Sequence, residues 1–71
     1  MIQDEIKHLF HLGDRLSIKE VRRMLQAVYD KNDINKKATS TDLALFGVKA
    51  TRSIIIRDGR RTEGIRVIRI T

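Results

Sequence analysis

The chain has 71 residues, a formal net charge of +6, no cysteine and two histidines. Seventy-one residues make one small domain of limited core; without thiols no disulfide can form, and with only two histidines a closed zinc site is not expected. No apolar run approaches the roughly 20 residues that a membrane helix needs, and MIQDEIKHLF carries acids early and lacks the small-residue cleavage site of a secretory leader. A cytoplasmic protein is expected, with no cofactor and no metal.

IQDEIKHLFHLG sets Ile2, Ile6, Leu9 and Phe10 at helical spacing, with Asp4 and Glu5 in the first turn, where the helix dipole favours acids. Gly13 can end it, so the pattern predicts a helix over residues 2–12. His8 and His11 lie three apart and read as ordinary surface histidines. Next, Ser17 is followed three residues later by Glu20, the signature of a capping box. Behind it Ile18, Val21, Leu25, Val28 and Tyr29 form one apolar stripe, while Lys19, Arg22, Arg23 and Gln26 fall mostly on the other side. This predicts an amphipathic helix over 18–31, stopped by NDIN at 32–35.

KKATSTDLALFG predicts a helix of about two turns over 40–46, capped by Thr39, Ser40 or Thr41 and closed by Gly47. Lys36 and Lys37 precede it. Hydroxyls and free amides at such a start can meet phosphate or base edges, although STD is equally a plain capping sequence. The last stretch, rich in Ile and Val, predicts strands over 50–57 and 64–70 around Asp58-Gly59. A strict two-residue turn would set Arg61 and Glu63 opposite Ile56 and Ile54. A wider loop over 58–63 pairs Ile55 with Val67 and Ile54 with Ile68, and is the expected form because it matches apolar with apolar. A short third strand near Ile34 is also considered.

Charge is unevenly spread. Residues 1–35 hold six basic and six acidic side chains, whereas residues 49–71 hold seven basic side chains against Asp58 and Glu63. Positive charge confined to one segment is the footprint of a polyanion binder. Solubility of an edge hairpin alone would be served by Glu or Lys as well.

A lone hairpin is marginal in water and needs helices behind it. The order helix, helix, short helix, hairpin therefore predicts an α+β domain of winged helix-turn-helix type, with the third helix as recognition element and the hairpin as wing. The run TSTDLALFGVKATRSIIIRDGRRTEGIRVI also resembles the C-terminal winged-helix module of primase–helicase replication proteins of phages, plasmids and mobile elements. Leu43, Gly47, Arg52, Gly59, Arg60, Arg61 and Gly64 carry the likeness, with Ile65 where that pattern has an aromatic residue. The resemblance implies a DNA-binding accessory module of a larger protein and imports no primase or ATPase chemistry.

The expected function is binding of nucleic acid, double-stranded DNA ahead of RNA. Lys36, Lys37, Thr39, Ser40 and Thr41 would approach the groove, Lys49 and Arg52 line the base of the wing, and Arg57, Arg60 and Arg61 contact phosphate or enter the minor groove. The alternative is a protein-interaction module docking an acidic partner surface. A catalyst is not expected, because the chain shows no P-loop, cysteine nucleophile or paired-carboxylate pocket and has little room for a cleft. A membrane surface is not expected either, since the basic segment reads as strand.

Overall fold

The computed structural model describes residues 2–71. Helix α1 (Ile2–Leu9) is followed by a short strand β1 (Arg15–Ser17), helix α2 (Ile18–Lys31), a 3-10 helix (Ser40–Phe46), and strands β2 (Val48–Arg57) and β3 (Arg60–Ile70). The strands form one antiparallel sheet in the order β1-β3-β2, so β3 is central and β2 is an edge.

The core lies between the helices and one face of this sheet. Ile6, Phe10, Val21, Leu25 and Tyr29 from the helical side meet Leu43, Val48, Ile65 and Val67, all almost fully buried. Each large apolar side chain so buried contributes on the order of 1.5–3 kcal/mol. The opposite face of the sheet carries no helix, because every core cluster residue from the strands alternates onto the inner side.

α2 forms over the predicted residues, and the reason is local: Ser17 is extended and its hydroxyl accepts from the Glu20 amide at 3.1 Å. α1 stops at Leu9, short of the predicted 12. His11 and Asp14 close a separate turn there, and Gly13 and Asp14 bond to Val67 across the sheet. Gln26, assigned to the outer side of α2 by pattern, instead reaches over the following loop. Its side chain donates to the Lys36 carbonyl and accepts from the Ala38 amide, which seats Ala38 in the core.

The winged helix-turn-helix expectation is overturned, although the α+β class holds. The C-terminal hairpin is not an appended wing; β2 and β3 are part of a central sheet completed by β1, which pairs Arg15 with Arg66 and Ser17 with Gly64. Ile34 belongs to no strand, and the third helix is 3-10 in form. The wide loop is also overturned. β2 and β3 pair from Arg57–Arg60 onward, leaving only Asp58 and Gly59 in the turn. Both have positive φ (51° and 74°), as a two-residue turn matched to strand twist requires. Ile54 and Ile56 therefore do stand opposite Glu63 and Arg61. What removes the need to pair Ile55 with Val67 is Gly64. Its missing side chain leaves space into which Ile55 packs, so Ile55 is buried without an apolar cross-strand partner. No helix among the described residues is long and apolar enough to cross a membrane.

Candidate nucleic-acid interface

The 3-10 helix and the inner side of the β2–β3 hairpin enclose an open groove of about 870 Å³. Ser40, Thr41, Lys49 and Arg52 all line it, so four of the residues singled out in the sequence do converge. Glu63 lines it too and forms an ion pair with Arg52. Both side chains are mostly exposed, which keeps that pair weak.

The start of the 3-10 helix is occupied by its own architecture. Asp42 accepts from the Thr39 amide at 3.2 Å and from the Thr39 hydroxyl at 3.0 Å, and the Thr39 and Thr41 hydroxyls lie 2.9 Å apart. Lys36 binds Asp42 at 3.1 Å and stands 5.9 Å over the Tyr29 ring. Burial raises the Tyr29 hydroxyl to about 12, helped by its bond to Asp42 and that carboxylate's charge. Burial would also raise Asp42, but hydrogen bonds from Lys36, Tyr29 and Thr39 outweigh it and hold the carboxyl at about 2. Lys36 and Thr39 are thus parts of a buried polar knot, and the capping reading of STD accounts for them. Lys37 is exposed and makes no ion pair among the described residues.

Around the hairpin tip, Arg57 turns back to pair with Glu20 in the first turn of α2. Arg60 and Arg61 are exposed and project from opposite faces, because neighbours in a strand alternate. Arg61 shares its side with Ile54 and Ile56, which are 41% and 68% exposed.

The structure also assembles a cationic surface that the sequence reading did not name. On the helix-free face, Arg15 stands directly opposite Arg66, while Lys49 stands opposite Arg69 at the end of the sheet, beside the register shift at Lys49–Ala50, where both also line the rim of the groove. All four are exposed. The Arg15 guanidinium reaches across β3 to the Ser53 hydroxyl at 3.5 Å. The strands contribute no acid to this face, since Glu63, the one acid in the three strands, alternates to the other; at the turn end Glu20 of α2 reaches Arg57. Parity alone would put Arg66 and Arg69 on opposite faces; the irregularity in register at Lys49–Ala50 brings them to one side, and the sequence carried no signal of it.

Comparison with protein-family models, with curated proteins and with solved structures finds no match for the chain.

Proposed function

We propose that this chain is a cytoplasmic nucleic-acid-binding module that engages the sugar–phosphate backbone of double-stranded DNA and carries out no catalysis of its own. The observation that carries the reading is the display of unpaired cations. Of the basic side chains in residues 49–71, only Arg52 and Arg57 are engaged by acids among the described residues, and the rest stand free on the sheet. A cluster of exposed guanidinium and ammonium groups gains affinity for a polyanion by releasing its condensed counterions. The likeness carried by Leu43, Gly47, Arg52, Gly59, Arg60, Arg61 and Gly64 is the ground for placing the module in a replication protein of a mobile element, beside other domains of that protein, although the winged-helix form that goes with that likeness is not the fold of this chain.

The test is a salt titration of binding to duplex DNA. Four to six phosphates neutralised at about −0.9 each give a log–log slope of roughly −4 to −5. A slope near zero ends the reading.

An acidic protein partner is the second reading. It is favoured by Ile54 and Ile56, exposed next to Arg61 on the inner side of the hairpin, since exposed apolar groups beside a cation suit a protein surface. Charge reversal by Arg60→Glu with Arg61→Glu separates the two: DNA retention lost in a mobility shift supports the first, and retention unchanged shows that the tip is not the contact.

A further inference from the structure

Three basic surfaces compete for the role of DNA contact. On α2, Arg22 and Arg23 are exposed but lie among Glu20, Asp30 and Lys31, a mixed face with little net field. In the groove beside the 3-10 helix, Arg52 is countered by Glu63 and the helix start is closed by its own hydrogen bonds. The helix-free sheet face differs from both in the density of its cations: Arg15 and Arg66 lie at its centre, Lys49 and Arg69 at the end it shares with the rim of the groove, and the row continues to Arg60 and Arg57 at the turn, of which Glu20 engages Arg57 alone.

The arrangement on that face is costly to the isolated chain. Like charges directly opposite one another in a sheet are destabilising. Here Arg15–Arg66, Lys49–Arg69 and Arg57–Arg60 are all like-charged pairs, and only Arg57 has an acid, Glu20, to relieve it. A sheet that needed only a polar exterior would alternate the signs. We propose that this helix-free face, and not the groove beside the 3-10 helix, is the surface on which the backbone of double-stranded DNA lies. The inference deepens the nucleic-acid reading and rests on it.

Three features fit the occupant. Thr51, Ser53 and Thr62 share the face with the cations and supply hydroxyl donors to phosphate oxygens. No aromatic ring is present there: Phe10 and Tyr29 are buried, and Phe46 packs against Tyr29 with ring centroids 6.2 Å apart. Unpaired bases would find nothing to stack on, which disfavours a single strand. From Arg60 to Arg69 the strand advances about 30 Å at roughly 3.3 Å per residue. That matches about nine base-pair steps at 3.4 Å, long enough for several phosphates at once. Contacts of this kind carry no base information, so binding is expected to be indifferent to DNA sequence.

The experiment uses the full chain, a fluorescent DNA duplex longer than about nine base pairs, and anisotropy over a series of salt concentrations. The face variant is Arg15→Gln, Arg66→Gln, Arg69→Gln. The matched control removes the same charge elsewhere, as Lys19→Gln, Arg22→Gln, Arg23→Gln. The face variant should lose most of the affinity, its slope falling by about 2.7 for three lost contacts, while the control keeps a slope close to the parent's. Because the face variant also removes like-charge pairs, its urea midpoint should stay level or rise, which separates lost contact from lost fold. Equal loss in both variants, larger loss in the control, or tighter binding to a single strand of the same length overturns the assignment. If the parent chain shows no salt-dependent binding at all, the nucleic-acid reading falls with it, whereas binding that merely survives the face variant leaves that reading standing and removes only this surface.

Discussion

The Tyr29 hydroxyl donates to Asp42 Oδ2 at 2.9 Å and joins the buried side of α2 to the third residue of the 3-10 helix. Lys36 and Thr39 converge on the same carboxylate. The segment between the two helices is therefore held by one acid with four donors. Hydrogen bonds to a charged group contribute about 1.5–3 kcal/mol each when their loss leaves a buried partner unmet. Tyr29→Phe removes one of four and is expected to cost about 1.5 kcal/mol. Asp42→Ala strands all four donors and is expected to cost about 3 kcal/mol, more than Tyr29→Phe. Urea unfolding at unchanged m-value measures both, and equal costs would show that Asp42 does not organise the knot.

The same pair sets two pH limits. Asp42 is held at about 2 in the folded chain against an ordinary 3.8, so its contribution is fully present above about pH 4. Stability should fall as pH drops from there toward 2, as protonation removes the acceptor. Tyr29 is raised to about 12 from 10, so the unfolded chain gives up that proton first and stability should fall as pH rises from 10 to 12. The chain has a single tyrosine, so its tyrosinate absorbance reports this site alone. A titration midpoint near 10 in the folded protein would contradict the buried hydrogen bond.

Two glycines in the hairpin should respond very differently to alanine. At Gly59 a Cβ meets nothing within 4 Å, and the only cost is positive φ, about 1 kcal/mol. At Gly64 a Cβ would press on the Leu16 carbonyl oxygen and Ile55 Cγ1, closer than van der Waals contact allows. Relief requires β1 to separate from β3, so Gly64→Ala should cost about 3 kcal/mol or more, at or above the upper range for overpacking. Thermal unfolding of both variants checks the order, and protection of the Arg15–Ser17 amides from exchange locates the damage.

Glu63 and Glu20 occupy Arg52 and Arg57 in the free chain. Arg52 and Glu63 lie in the groove and not on the face proposed for DNA, so Glu63→Gln should leave the salt slope of DNA binding within about 0.3 of the parent's. Its stability should change by less than about 1 kcal/mol, since the ion pair with Arg52 is largely exposed. A slope steeper by about 0.9 would put Arg52, and with it the groove, against phosphate.

Much of this fold was legible from local chemistry. The Ser17 cap and the stripe of α2 dictated that helix to the residue, although Glu20 turns its carboxylate to the Ser17 hydroxyl and to Arg57 and does not close the expected box on the Ser17 amide, and Gly47, at φ 79°, closes the 3-10 helix where predicted. What escaped was set by tertiary pairing. β1 is three residues with a single apolar side chain, too short to show a period, and becomes a strand only because β3 offers it a ladder. The turn was misjudged by matching isoleucines across one pair of strands, when Ile55 packs over Gly64 instead. Without β1, the true turn and the register shift at Lys49–Ala50, Arg15, Arg66 and Arg69 could not be assigned to a common side. Lys36 and Thr39 looked like ligand contacts because a sequence does not reveal that Asp42 already claims them.

The length of the Asp58–Gly59 turn reaches further than the hairpin tip. One more residue there would rotate everything after it by half a period, turning Ile65 and Val67 outward and Arg66 into the hydrophobic interior. The burial of two aliphatic side chains therefore polices where the guanidinium groups point. Evolution could vary the identity of the cations freely, but not the count of residues between the strands.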